Sequence, residues 1–298
     1  MRIAAAITTA ALLLASTSAS AQGMEDVEIR AVSLAPGVAV LFGNGGNIGV
    51  SHGEDGTLLI DDQFAVLSDK IKAAVADLGA TPTRFLINTH WHFDHAGGNE
   101  PFGQDGATIM AHDNVRIRLA EGGTVAGNET PPAPAAALPL VTYDRGVTLH
   151  LNGDTIDVMY LGGGHTDGDS VVHWRQANVV HMGDLFMNRL GWPFIDTGSG
   201  GNVEHFINSL NQALSLMDDE TTVIPGHGAI ATKSDLIAFR TMIASAVDRI
   251  KAQRDAGASV EQAIAADIVS ELRNAPEGFV SDAQFVTAVY ASLHAHRH

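Results

Sequence analysis

Asn88-Thr89-His90-Trp91-His92-Phe93-Asp94-His95-Ala96-Gly97-Gly98-Asn99 is the stretch on which the reading of this chain turns. Three histidines and one aspartate fall within six residues, just past a buried-looking strand at Arg84 to Asn88, and packing alone does not ask for such a cluster. From a loop, His90 and His92 converge on one ion, and Asp94 and His95 turn to a second as the chain curls into the next helix. Imidazole nitrogen and carboxylate oxygen without thiolate suit Zn²⁺, with Mn²⁺ and Fe²⁺ as other fits.

Three later positions extend the pattern. Gly162-Gly163-Gly164-His165-Thr166 follows a strand ending near Tyr160, Met182-Gly183-Asp184 ends the strand Asn178 to Met182, and Pro225-Gly226-His227-Gly228 follows Thr222 to Ile224. Each presents a His or Asp where glycine lets the backbone turn at a strand end. Taken singly each is an ordinary turn; together with the His-rich loop they reinforce one another.

The flanking text supplies alternating strands and helices. Strands are expected near Val27 to Leu34, Val38 to Phe42, Ile48 to His52 and Gly56 to Asp61, with Gly43 to Asn47 as a flexible hairpin tip. An amphipathic helix over about Leu67 to Leu78 leads to the strand Arg84 to Asn88, a crossover unit. Thr108 to Ala111 is a short strand, followed by a helix from Asp113 to Leu119 capped by Asp113. Residues 121–140 lack a period and read as a loop and candidate lid. Strands resume at Val147 to Leu151, Thr155 to Tyr160, Ser170 to Trp174 and Asn178 to Met182, and a helix covers Val203 to Met217. The tail is helical over about Ser234 to Ala256, Val260 to Leu272 and Ser281 to His294, with Ile243, Val247, Ile250, Ile264 and Ile268 as stripes that cover a core or form a dimer face. The class is α/β with a C-terminal helical extension.

Composition narrows the partners. With 17 Lys and Arg against 34 Asp and Glu, a net charge of −17, and no basic cluster, nucleic acid and anionic membrane surfaces are excluded and a small-molecule substrate is expected. Oligomeric state stays open. Residues 1–21 read as a signal peptide, with Arg2 as basic start, an apolar run from Ile3 to Ala15 too short to span a bilayer, and Ala19-Ser20-Ala21 as cleavage site. Export to the periplasm or medium follows as an expectation. The absence of cysteine removes disulfides and thiolate chemistry. Residues 22–232 are expected to form the hydrolase domain and 233–298 a helical extension packed on it.

His90-x-His92-x-Asp94-His95, His165, Asp184 and Pro225-Gly226-His227-Gly228 resemble, in order and approximate spacing, the metallo-β-lactamase superfamily of metallohydrolases, over roughly Val27 to Thr232. The resemblance implies an αβ/βα sandwich with a site for two zinc ions on one edge. It assigns His90, His92 and His165 to the first ion, Asp94, His95 and His227 to the second, and Asp184 as the bridge. Asp61, at the end of Leu59-Ile60-Asp61, matches a residue that supports the metal loop, with a plain turn aspartate as the other reading. The commonest zinc β-lactamases carry cysteine where Asp184 stands, and a lysine soon after it; here only Arg189 offers a cation, so β-lactam turnover is expected to be weak or promiscuous.

The mechanism expected is hydrolytic: a hydroxide shared by the two cations attacks a carbonyl of a β-lactam, lactone, ester or thioester, with Asp94 orienting it. A glyoxalase II-like thioesterase and a non-catalytic metal-binding protein of the same fold are the alternatives. Rim candidates are Gly43 to Gly49, residues 121–140 and Gly191 to Asp196, where Trp192 and Phe194 either grip substrate or pack on the helical tail. His52, His112, His150, His173, His181 and His205 are read as core or surface residues, with His112 the one considered for the pocket wall; the C-terminal His294, His296 and His298 could bind metal adventitiously.

Overall fold

The structure is a computed structural model describing residues 23–294. The expected signal segment, and His296 and His298, lie outside the described residues. The first half opens with β1 (Arg30–Ala35), β2 (Val38–Phe42), β3 (Ile48–Ser51) and β4 (Thr57–Ile60), an antiparallel ladder, and α1 (Ser68–Asp77) then crosses to β5 (Thr83–Ile87), parallel to β4. Short helices α2 (Phe93–Ala96) and α3 (Asn99–Gln104) lead to β6 (Thr108–His112); α4 (Asp113–Glu121) and a small hairpin, β7 (Gly123–Val125) with β8 (Asn128–Thr130), lead to β9 (Val141–Tyr143). The resulting sheet has the order β1-β2-β3-β4-β5-β6-β9, parallel from β4 onward.

The second half repeats the scheme. β10 (Gly146–Leu151), β11 (Asp154–Tyr160), β12 (Ser170–Trp174) and β13 (Val179–His181) are antiparallel, α5 (Val203–Ser215) crosses to the parallel strand β14 (Thr222–Ile224), and β15 (Ala231–Thr232) closes the edge. α6 (Lys233–Asp255), α7 (Val260–Ala265) and α8 (Asp282–His294) complete the described chain.

Side-chain alternation explains why the two sheets stack with helices outside. Along β2, Val38 and Val40 point into a core shared with Ile156, Val158, Val172 and Trp174 of the second sheet, while Ala39 and Leu41 face Leu67, Ile71 and Phe102 on the outside. On the opposite outer face, Val171, Val180 and Val223 meet Phe206, Leu210, Phe239, Ile243 and Phe285. The layers are therefore helix, sheet, sheet, helix: the αβ/βα sandwich. Ile243, Val247 and Ile250 are buried in that outer layer, against α5 and the second sheet.

Four local readings change. Helix α4 is capped by His112, whose Nδ1 accepts the Asn114 N–H, and not by Asp113, because His112 holds the extended backbone an N-cap requires. Residues 121–140 are not uniform loop: β7 and β8 pair tightly within them. The helix expected over Val260 to Leu272 stops at Ala265, since Asp267 takes φ 48°, which an α-helix cannot continue. The Gly43 to Asn47 tip is tied down: Gly46 N–H donates to Asp94 O, and Asn47 donates from its backbone to Gly226 O and from its side chain to Pro225 O and Gly228 O.

Candidate metal centre

The His-rich loop leaves the C-terminal end of β5, Asp61 follows β4, Asp184 sits in a 3₁₀ turn after β13, and His227 follows β14. All four come from the same ends of the two parallel strand pairs, which face one another across the sandwich; side chains 137 positions apart in sequence, His90 and His227, thus reach one rim. His90, His92, His165 and Asp184 present ligand atoms within 4.8 Å of one another, and Asp94, His95 and His227 form a second such group.

Hydrogen bonds on the far side of four of the rings assign their tautomers. His165 Nδ1–H donates to Phe194 O at 2.6 Å, His92 Nε2–H to Asp196 Oδ2 at 2.9 Å, and His95 Nδ1–H to Asp61 Oδ2 at 2.7 Å. His90 Nδ1 meets Thr89 Oγ1 at 3.0 Å, and because that hydroxyl spends its proton on Asp61 Oδ2, the imidazole must be the donor. The remaining nitrogens of His90, His92 and His165 thus offer lone pairs inward. His165 Nε2 and His92 Nδ1 face each other at 2.9 Å, two acceptors with no proton between them in these tautomers. His90 Nε2 and Asp184 Oδ1 are buried and make no hydrogen bond among the described residues. Buried acceptors that converge within each cluster fit a cation there.

Asp184 spans the groups. Its Oδ2 lies 3.6 Å from His165 Nε2 and 4.0 Å from His90 Nε2, while Oδ1 lies 3.1 Å from His95 Nε2 and 3.5 Å from His227 Nε2. Asp94 Oδ2 stands 3.2 Å from His227 Nε2 and 3.8 Å from His95 Nε2. The donor sets, three imidazoles with a carboxylate and two imidazoles with a carboxylate, contain no sulfur.

Electrostatics separate the two halves. Burial, then the neighbouring imidazoles, push His90 well below the usual histidine range, and burial with His92 brings His165 to about 4, so both are neutral ligands in waiting. Burial opposes charge on His227, yet Asp184 and Asp94 outweigh it and raise its pKa to about 9. His95 is raised likewise against its burial, and in return Asp184, though buried, is held well below the carboxylate range. The cation-free second group therefore holds protons at neutral pH that a metal must displace. Since His227 loses its proton only near 9, metal affinity should rise with pH, by about tenfold per unit for each proton released. Competition against a fluorescent chelator between about pH 6 and about pH 8 measures this; a flat profile contradicts the protonated resting state.

Asp61, buried at φ 64°, accepts from Thr89 N–H, Thr89 Oγ1–H and His95 Nδ1–H, each at 2.7 Å. It positions the His-rich loop, which distinguishes it from a plain turn residue. Three further supports escaped the sequence reading. Asp196 orients His92; Asp169 accepts the His165 and Thr166 N–H groups and the Thr166 hydroxyl; His181 donates from Nε2 to Asn47 O and accepts Gly183 N–H at Nδ1, fixing the turn that carries Asp184. The Asp169 signal was present in Gly164-His165-Thr166-Asp167-Gly168-Asp169, a carboxylate three residues after a threonine that closes a turn. Partners of His92 and of His181 lie over 100 positions away and leave no local trace.

Two glycines admit no side chain. A Cβ at Gly46 would stand 2.2 Å from His95 Cε1, and one at Gly226 would stand 2.1 Å from Asp184 Oδ1. Gly226→Ala is expected to displace Asp184 and lower the bound metal per chain, measured by elemental analysis of protein whose circular dichroism remains native. Unchanged metal content would contradict the placement.

A cavity of about 410 Å³ opens beside Asp94, Asp184 and His227. Phe194 lines it, its ring 5.9 Å from those of both His92 and His165. Trp192 contributes to the cavity wall, but its indole is buried, stacked on Phe285 at 4.4 Å and donating to Asp282 Oδ1, so it packs on the helical tail. Arg189 is a correction. It is 76% exposed at the side chain, reaches Asp235 at 3.3 Å and is not part of the cavity wall. Its partner is the helix-capping carboxylate of Asp235. His112 stacks on Tyr160 and is likewise not in the wall.

Residues 42–227 match the family model of the metallo-beta-lactamase superfamily. The chain is 27% identical over 183 residues to a probable metallo-hydrolase, YqgX, of Bacillus subtilis, covering 57% of this chain and 82% of that one. It is 28% identical over 210 residues to the acyl-coenzyme A thioesterase MBLAC2 of Gallus gallus, covering 62% and 73%. In structure it superposes on a metallo-beta-lactamase of Cronobacter sakazakii with a TM-score of 0.63 at 20% identity, over 79% of this chain and 99% of that one, a likeness of fold. With this match extending over most of the chain and ending at the last of the clustered histidines, the protein belongs to the metallo-beta-lactamase superfamily and is a metallohydrolase of that superfamily.

Proposed function

We propose that the protein is an exported dizinc hydrolase acting on the carbonyl of a small ester, lactone or thioester, with β-lactams as poor substrates. The observation that carries this is the divided carboxylate of Asp184, one oxygen toward each cluster. His90, His92 and His165 would hold the first ion, Asp94, His95 and His227 the second, and Asp184 both. When bound, such ions supply Lewis acidity and lower the pKa of water for attack on a carbonyl. Asp94, 22% exposed at its side chain beside the cavity, is placed to accept a proton from the attacking water and orient it. The buried walls around His90 and His165 exclude bulk solvent, which strengthens every charge interaction there.

Among the described residues the cavity wall has no lysine or arginine, and Arg189 reaches Asp235, which supports the low rank of β-lactams. The likeness to an acyl-coenzyme A thioesterase favours thioesters as the second reading. The apolar leader at Ile3 to Ala15 and the cleavage pattern after it support export to the periplasm or medium.

Elemental analysis and steady-state kinetics test the reading together. About two zinc ions per chain are expected, with turnover of an ester, a lactone and a thioester that a chelator abolishes and zinc restores. Two bound ions with no chelator-sensitive turnover on the whole panel, a chromogenic cephalosporin included, would leave a metal-binding protein without this activity.

A further inference from the structure

The cleft above the metal centre continues sideways. Its cavity shares Ala126, Phe194 and Phe279 with a second of about 470 Å³, whose floor is one face of α8. That face presents Ala283, Thr287 and Ala291 at successive turns with Ala288 beside them, so the floor is shallow and without charge. Phe279, 72% exposed, stands edge-on to Phe194 at 5.9 Å, and Leu190 is exposed on the cleft's rim. An apolar path thus runs from the imidazoles of His92 and His165, over Phe194 and Phe279, onto the helix.

Charge selects what can use this path. Among the described residues neither cavity has a lysine or arginine in its wall, and the carboxylates that face the cleft, Asp94 and Asp184, belong to the metal clusters. The chain as a whole carries −17. An anionic group lying along the trough would meet no counter-charge and an unfavourable protein field.

We propose that the trough over α8 binds a neutral, unbranched apolar chain of the substrate, which makes long-chain uncharged esters and lactones the preferred class. This rests on the hydrolase reading above, and it adds the helical tail to the specificity surface. A fully buried methylene is worth about a fourfold gain in binding, and in a trough open on one side several of them together should give at least about tenfold. Exposed aromatic side chains at the mouth of a cleft are what such a chain would cover.

Two measurements separate this proposal from the reading beneath it. N-phenyl-1-naphthylamine and its sulfonated analogue, 1-anilinonaphthalene-8-sulfonate, differ in charge and little in shape. The chelator-treated protein should bind the neutral dye at least about tenfold more tightly, and Thr287→Trp or Ala291→Phe, both exposed positions, should weaken it at least about fivefold. In zinc-loaded protein, kcat/KM for 4-nitrophenyl octanoate should exceed that for the acetate at least about tenfold, and Thr287→Trp should reduce that ratio. Equal affinity for the two dyes, a chain-length ratio near one, or a concentration-dependent dimer that shuts out the neutral dye would overturn the trough. Dye selectivity lost in both variants, with no hydrolysis of either ester, would support the trough and overturn the hydrolase reading.

Discussion

Asp184→Asn should lower kcat/KM on any substrate the zinc-loaded protein turns over by at least about a thousandfold, and should reduce bound zinc from two ions per chain toward one. Within the described residues Asp184 is the carboxylate with an oxygen toward each cluster, and its charge is the largest of those, Asp94's among them, that raise His95 and His227 against their burial. The amide keeps the shape but turns one oxygen into a donor and removes the charge from both groups. The fold should survive, because His95 and His227 can release their protons once the partner charge is gone, so no unpaired buried charge is left behind. Elemental analysis, steady-state kinetics and a thermal melt on the same preparation read the three effects. Two tightly bound ions at wild-type turnover would sink the bridging role.

Asp61→Asn should weaken zinc binding about 10- to 100-fold and destabilise the zinc-free protein by about 3 kcal/mol. The native carboxylate only accepts, taking three hydrogen bonds at 2.7 Å in a fully buried position. An amide nitrogen must face one of those three donors, leaving a buried N–H or O–H without an acceptor. Asparagine tolerates the left-handed φ of 64° about as well as aspartate, so backbone strain does not confound the comparison. The released His95 ring can then rotate or change tautomer, which is why the metal affinity falls although Asp61 touches no ligand atom of the site. A urea melt and a chelator competition measure the two effects; a variant unchanged in both would reduce Asp61 to a turn residue.

The legible part of the site was the part written in short segments. His90, His92, Asp94 and His95 lie within six residues, and His165, Asp184 and His227 each follow glycine at a strand end. Apolar runs bounded by glycine and asparagine also placed most strands, because the Val38–Phe42 run and the turn residues that flank it are local. Failures came where tertiary contacts competed. Arg189 read as a substrate cation and found Asp235 instead; His112 read as a lone histidine and is a helix cap. A run rich in Pro and Ala read as loop, yet Gly122 and Gly127 at positive φ let β7 and β8 pair within it.

What the sequence by itself determined was the donor inventory: imidazoles and carboxylates, no thiolate, at the ends of strands in two strand-helix-strand units. The tertiary structure alone decided which nitrogen of His92, His95 and His165 faces inward, since the hydrogen bonds that set it come from Asp196, Asp61 and Phe194, between 29 and 104 positions away. It also decided that the helical tail meets the cleft through Phe279 and α8. Local propensity acts over a few residues, whereas a tautomer and a cavity wall depend on atoms brought together by burying the two sheets' apolar faces.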